Sequence, residues 1–411
     1  MIQYLQGLAW VIEGIFFVFL ALATLYIFIY AVAGIFYRQK RLDTVSKVRK
    51  FAVLIPGYKE DSVIVHVAKQ ATLQDYPKDK YEVIVIADSF QPQTLEALKR
   101  FPIRVVEVSF EVSKKSKALN QCMKVIGDDY DVAFILDADN IMEQDVLSKI
   151  NAAFDKGYSA VQGHRTAKNL NSSFAILDAV SEEINNHIFR KGHRVLGISS
   201  ALIGSGMGLN YKLFKETMAT VDSVGEDKEV ELKIIKQGYT IDYVHDAVIY
   251  DEKTQRSDAF VNQRRRWLAA QLNYFRTHFA DGLKELILRG NFDYFDKVIQ
   301  MVQPPRILLS GVLFLIFVFT ALIEFIPIKI LDTWVFPGFY AWLILFLGAA
   351  VSIGLSVPKR LYNKKTFRAL LSLPYGFILM FISLLKFRGA MQKFLHTEHS
   401  HVDEDQKEKK S

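Results

Sequence analysis

The sequence predicts an α/β domain with a mostly parallel sheet, flanked by transmembrane and interfacial helices. Three observations predict it. Short β-branched runs alternate with helix-like stretches between about residues 51 and 238, the pattern of parallel strands with helices on both sheet faces. Charge-free apolar segments lie on either side of that region. One apolar run, Val132-Ala133-Phe134-Ile135-Leu136, ends in Asp137-Ala138-Asp139. Residues two apart on a strand point the same way, so both carboxylates project from the strand end, where open α/β sheets bind ligands.

Composition narrows the class. Of 411 residues, 51% are hydrophobic and 13% aromatic, too apolar for disorder and high for an ordinary soluble enzyme. The length allows two or three domain-sized units. The net charge of +7 comes mostly from residues beside apolar segments, so anionic membrane lipids are the expected partner and nucleic acid is not. Cys122 is the single cysteine, which excludes an intrachain disulfide and fits a reducing cytosolic compartment.

Residues 14–37 carry no charge and are long enough to cross a bilayer. No basic stretch precedes them and no small-residue cleavage site is evident, so they read as an anchor. Arg38, Lys40, Arg41, Lys47, Arg49 and Lys50 follow, which places the next domain in the cytosol and the N-terminus outside. Strands are expected at 52–55, 83–86, 103–106 and 132–136. Further apolar segments span 307–323, 333–357 and 369–385. The basic loop from Pro358 to Lys365 should be cytosolic. Counting four spans puts the C-terminus outside, whereas Lys386, Arg388 and Lys393 argue for inside; a re-entrant last segment would leave the tail cytosolic. The expected divisions are 1–37, 38–257, 258–305, 306–387 and a charged tail at 388–411.

Candidate site residues cluster at strand ends. Two carboxylates at Asp137 and Asp139 suit a hard divalent cation already bound to phosphate oxygens. The first strand exits through Pro56-Gly57, which exposes Tyr58 and Glu60; Tyr58 could lie against a nucleobase. Asp88 ends the second strand and could accept a hydrogen bond from an imide N–H, or serve as a helix cap. Lys115 and Lys117, in Lys114-Lys115-Ser116-Lys117, open a helix and could neutralise a diphosphate. Gly204-Ser205-Gly206 lacks both the P-loop and the dinucleotide spacing and reads as a tight segment for close approach of an acceptor. Glu226 and Asp227 sit in the first turn of a helix with Val230, Ile234 and Ile235 inward. The positive helix end favours an ionised acid, which suits a general base. Gln263, Arg266 and Trp267 are spaced i, i+3, i+4 and share a helix face. The first two could bind phosphate oxygens while the tryptophan stacks on a sugar. His396-Thr397-Glu398-His399 has the look of a metal cluster, though a tail at the membrane edge is the blander reading.

Together these motifs resemble the membrane-embedded family-2 glycosyltransferases, above all the processive β-glycan synthases of the cellulose, hyaluronan, chitin-oligosaccharide and poly-N-acetylglucosamine type. The resemblance covers about residues 53–267 and the flanking spans. It implies a GT-A-type nucleotide-sugar domain, with Mg2+ or Mn2+ on Asp137 and Asp139. It implies a uracil contact at Asp88 and donor contacts at Tyr58, Glu60, Lys115, Lys117, Asp137, Gln263 and Arg266. It also implies the base at Asp227, and acceptor contacts at Trp267, Gly204, Ser205, Gly206 and Glu226. The implied activity is inverting, metal-dependent transfer from UDP-GlcNAc or UDP-glucose to a growing β-glycan at the plasma (bacterial inner) membrane. Single transfer to a lipid-linked acceptor, and a non-catalytic scaffold, are the alternatives. The sequence departs from the family at Gly225, Lys59 and Ala87, where Thr, Asn and Asp are usual. It also has fewer apolar segments than a cellulose synthase, so an export or accessory subunit is a possible partner.

Overall fold

The computed structural model describes residues 2–39, 45–223, 225–253, 257–326 and 336–385. Eight strands form one sheet: β1 (Phe51–Tyr58), β2 (Tyr81–Asp88), β3 (Ile103–Val108), β4 (Val132–Ile135), β5 (Ile141–Met142), β6 (Ala160–Ala167), β7 (Met207–Asn210) and β8 (Ile241–Asp251). Their order is β3-β2-β1-β4-β7-β6-β8-β5. The four strands read from sequence are β1 to β4, and they form an all-parallel half. The other half is mixed. β7 runs antiparallel to both β4 and β6, β6 and β8 are parallel, and β5 is antiparallel to β8.

The central parallel strands are largely apolar because both sheet faces are covered, and the charged residues fall at the ends of β2 (Glu82, Asp88) and on the edge strand β3 (Arg104, Glu107). Alternate side chains of β1 enter two different cores. Ala52 and Leu54 pack with Leu119, Met123 and Ile235 on one face. Phe51, Val53 and Ile55 pack with Ile64, Val67 and Leu147 on the other. Each of these side chains larger than alanine, buried as it is, contributes about 1.5–3 kcal/mol. This anchors the strands, and their carboxyl ends can then carry polar groups without loss of the fold.

The flanking helices largely follow the hydropathy. The first runs Ile2–Ile35, starting earlier than the expected 14–37 and stopping two residues sooner. Past it, Tyr37 donates from its hydroxyl to the Tyr243 carbonyl at 2.6 Å, which ties the chain to the domain. Among the described residues three helices are long and apolar enough to cross a membrane: Gln6–Ile35, Arg306–Phe325 and Phe339–Ser356. The segment expected at 369–385 is not one straight helix. Lys364–Leu370 and Leu373–Ser383 meet at a bend of 49°, and together they pass the same test. A third core, with Leu20, Ile27, Ile184, Leu309, Leu313 and Trp342, joins these helices to Ser173–Asn186. The stretch after Trp267 continues as one long helix, Ser257–Arg289. The next helix, Phe292–Gln300, buries Tyr294 and Val298 in the domain core while Ile287, Leu288 and Phe292 are exposed.

Candidate active site

The carboxyl ends of β1, β2 and β4 meet at one cleft, as parallel strands in register require. Tyr58 is paired with Asp88 across β1 and β2. The residues just after them, Lys59 (φ 56°) and Ser89 (φ 60°), both take the left-handed conformation, which is uncommon for residues with a Cβ. Lys59 N–H donates to the Asp88 carbonyl at 3.1 Å, and the Ser89 hydroxyl donates to the Asp88 carboxylate at 2.9 Å. Asp88 is thereby held, buried, at the floor of the cleft. Tyr58 and Glu60 line the same wall.

Asp137 and Asp139 follow β4 and line the cleft together. The Asp137 backbone N–H donates to the Ser205 hydroxyl at 3.0 Å, and that hydroxyl donates to Asn140 at 3.0 Å. Asn140 in turn donates to Asp251 at 3.0 Å. Ser205 and Gly206 are buried beneath this loop and brace it, whereas Gly204 lines the cleft. Gly204 (φ +79°) and Gly206 (φ +64°) occupy backbone that a Cβ disfavours, and a Cβ on Gly206 would lie 2.7 Å from Ile249.

Lys115 opens the helix Lys115–Ile126 and reaches into the acids. Its ammonium lies 2.5 Å from Asp137, 2.8 Å from the Gly204 carbonyl and 3.3 Å from Glu226. Burial works against its charge, but Asp137 and Glu226 outweigh that and hold its pKa above the ordinary lysine value. Burial pushes Glu226 up to about 7, with Lys115 opposing and Asp227 adding to the rise. Asp227 lines the cleft, and its carboxylate is 3.7 Å from the position a Cβ on Gly204 would take. Lys117 turns elsewhere, donating to the Val112 carbonyl at 3.3 Å, and does not line the cleft. Lys114 does line it, paired with Asp222 at 2.8 Å.

Trp267 lies on the helix Ser257–Arg289, borders the cleft and is 44% exposed. The side chains of Gln263 and Arg266 on the same helix lie outside the described residues, as does the His396-Thr397-Glu398-His399 segment.

Sequence reasoning missed a second polar layer behind the acids. Arg165 on β6 pairs with Glu182 at 2.7 Å and approaches Asp251 at 3.8 Å. Lys253 pairs with Asp251 at 2.6 Å and also with Glu182. Burial pushes Asp251 up to about 7 against the pull of Arg165, and Asp139 adds to the rise. One signal was available: Asp251 ends β8 as Asp88 ends β2, so the strand-end rule that found the one applies to the other.

The donor set fits a divalent cation of the hard class. Asp137 and Asp139 present only oxygen, from two carboxylates at one cleft wall. Among the described residues no group of three His, Cys, Asp or Glu side chains closes around an ion. Two carboxylates with open positions suit a cation that takes its remaining ligands from a diphosphate and water.

A mixed sheet with acids gathered at its parallel strand ends places the molecule among the α/β folds of GT-A type. The chain belongs to the glycosyltransferase like family 2, whose model matches residues 49–270, and it is thus related to sugar transferases. Its relatives include the Bacillus subtilis (strain 168) protein named Probable glycosyltransferase YdaM, 23% identical over 347 residues, 79% of this chain and 78% of that one. The beta-monoglucosyldiacylglycerol synthase of Nostoc sp. (strain PCC 7120) is 22% identical over 224 residues, 53% of this chain and 47% of its own length. The mannosyltransferase PcManGT of Pyrobaculum calidifontis, solved in complex with GDP-Man and Mn2+, has the same fold. It superimposes with a TM-score of 0.54 at 17% identity, over 89% of this chain and 95% of its own.

Proposed function

We propose that this chain is an inverting β-glycosyltransferase of the bacterial inner (plasma) membrane, its catalytic domain on the cytosolic side. It transfers a sugar from UDP-GlcNAc or UDP-glucose to an acceptor held at the membrane. One observation carries the reading. A single cleft of about 1630 Å3 runs from Asp88, Asp137, Asp139 and Asp227 to the apolar helices Arg306–Phe325 and Phe339–Ser356. A water-borne acceptor needs no such route.

In this proposal each residue has a task. Asp88 accepts the uracil imide N–H, and Tyr58 lies against the base. Lys115, already among carboxylates, neutralises the diphosphate together with Arg266. Asp137 and Asp139 would hold Mg2+ or Mn2+, which would supply positive charge against the departing diphosphate. Asp227 takes the proton of the acceptor hydroxyl as its oxygen attacks the anomeric carbon. The bond from that carbon to the diphosphate oxygen breaks, and UDP leaves with the electron pair. Trp267 stacks on the acceptor sugar or headgroup. The relative named for making a glucosyl diacylglycerol supports a lipid-linked acceptor. The Gln263-x-x-Arg266-Trp267 order favours a second reading, repeated addition to a growing β-glycan, which would call for an export or accessory subunit.

The test is a panel of UDP-sugars on purified protein with Mn2+, the product sized and its linkage determined. Consumption of one UDP-sugar with a β-linked product is expected. Intact UDP-sugar across the whole panel would return the chain to a scaffold role.

A further inference from the structure

The cleft is larger than a nucleotide-sugar requires, since pockets for small ligands hold about 300–1,000 Å3. Its far arm is lined by Phe314 and Leu315 of Arg306–Phe325, Phe346 and Ile353 of Phe339–Ser356, and Phe377 and Ile378 of Leu373–Leu385. These three helices supply apolar walls from the part of the chain able to enter a bilayer.

The same cleft is lined by two polar atoms that set the chemistry of the occupant. The Gln303 side-chain carbonyl oxygen and the Ser310 hydroxyl are both buried at the cleft and have no hydrogen-bond partner among the described residues. Buried polar atoms are nearly always paired, so such a pair points to a ligand that completes them. A carboxamide oxygen accepts a hydrogen bond, and a hydroxyl can give or accept one. Both suit a neutral, hydroxyl-bearing headgroup. A phosphate would need cationic donors instead, and Arg306, between the two in sequence, directs its guanidinium donors to Asn185 at 2.6 Å and to the Ser181 carbonyl at 3.0 Å.

We propose that this arm holds the hydrocarbon chain of the acceptor, a neutral acylglycerol-type lipid with free hydroxyls, and that Gln303 and Ser310 bind its headgroup. The inference rests on the transferase reading above. A glycerol hydroxyl of the lipid forms the new bond to the anomeric carbon, its proton passes to Asp227, and the sugar–diphosphate bond breaks with its electrons on UDP.

The experiment uses the full chain in detergent micelles with Mn2+ and the UDP-sugar that the panel selects. Acceptors are monooleoylglycerol, dioleoylglycerol, monobutyrylglycerol, a polyprenyl phosphate and a chito-oligosaccharide. The oleoyl lipids should be glycosylated, with a KM at least tenfold below that of the butyryl analogue. Ser310→Trp, which fills the arm, should raise the lipid KM tenfold or more, while the UDP affinity stays unchanged. Ser310→Ala and Gln303→Ala, which only delete polar atoms, should raise it severalfold with kcat nearly constant. Transfer to the oligosaccharide or the polyprenyl phosphate alone, or a KM indifferent to chain length and to all three variants, overturns the lipid site but leaves the transferase. Loss of UDP binding and of transfer to every acceptor in the unmodified protein overturns both.

Discussion

Lys115→Met tests whether the acids at β4 hold a diphosphate. The side chain stays unbranched, one atom shorter, and loses its charge. Lys115 touches Asp137 at 2.5 Å and Glu226 at 3.3 Å, and its side chain is 23% exposed. Two effects follow from its removal. The donor loses a charge-assisted contact, worth about 1.5–3 kcal/mol, so the UDP dissociation constant should rise roughly 10- to 150-fold. Asp137 and Glu226 also lose their shared counter-charge, so Glu226 should titrate above its value of about 7. Calorimetric titration of UDP with Mn2+ present measures the first effect. Lys117→Met is the matched control: that ammonium turns to the Val112 carbonyl, outside the cleft, so the affinity should change less than about twofold. A UDP affinity unchanged in Lys115→Met, or lowered equally in both variants, would refute the placement of the diphosphate.

Four further outcomes are expected. Asp227→Asn should lower kcat by about 10²–10⁴ and leave UDP binding intact, as single-turnover assays would show; near-normal turnover would move the base elsewhere. Chelation with EDTA should stop transfer and added Mn2+ restore it, and activity that survives chelation would remove Asp137 and Asp139 from metal binding. Gly206→Ala, forcing a Cβ to 2.7 Å from Ile249 at φ +64°, should cost about 1–3 kcal/mol of stability, read as a lower melting temperature. Glu226 has a folded pKa near 7 against an ordinary 4.5. The native state therefore holds more protons than the unfolded one between those values, so stability should fall as pH rises from about 4.5 to 7. Asp251, also pushed up to about 7, adds to the same fall, so in EDTA Glu226→Gln should remove roughly half of that slope, and an unchanged slope would show that Glu226 has no part in it.

How far the sequence could reach is clearest from neighbouring residues. Asp137 and Asp139 were legible because a buried strand has one period and one end, and β4 stops at Ile135 just before them. The two lysines were not resolved by their motif. Successive helical residues are about 100° apart, so Lys115 and Lys117 point to nearly opposite sides of Lys115–Ile126 and cannot both face the acids. The layer formed by Arg165, Glu182, Asp251 and Lys253 was hidden for a different reason. It depends on β6 and β8 pairing so that Arg165 sits beside Ile249 and Ala167 beside Asp251, a register between segments about eighty residues apart. Local pattern shows that β8 ends in an acid but not which basic residue meets it. Gly204 and Gly206 were legible as a tight segment, while the bracing role of Ser205 emerged only with β7 reversing direction next to β4.

The helix Ser173–Asn186 explains how one cleft can join an acidic end to an apolar one. Toward the sheet it presents Glu182 to Arg165 and Lys253, the layer that backs Asp139 and Asp251. Toward the apolar helices it presents Ile176, Val180 and Ile184 to Leu309, Leu313 and Trp342. The last turn of that helix is pinned by two arginines from the helical region. Arg306, opening one apolar helix, donates to Asn185, and Arg360, just past the next, lies 2.5 Å from Glu183. Despite burial, Glu183 is held down to about 2 by its hydrogen bonds to His164 and Thr166, with Arg360 adding to the effect. Arg360 is half exposed, so its bond alone is worth little; the grip comes from several partners meeting one buried carboxylate. The helix therefore cannot slide along the sheet without breaking a buried ion network on one side and an apolar core on the other. This element sets the distance between the acids at the strand ends and the apolar arm. An acceptor anchored by its chain would present its headgroup to Asp227 at one depth, which is what a single-displacement transfer needs to place the attacking oxygen.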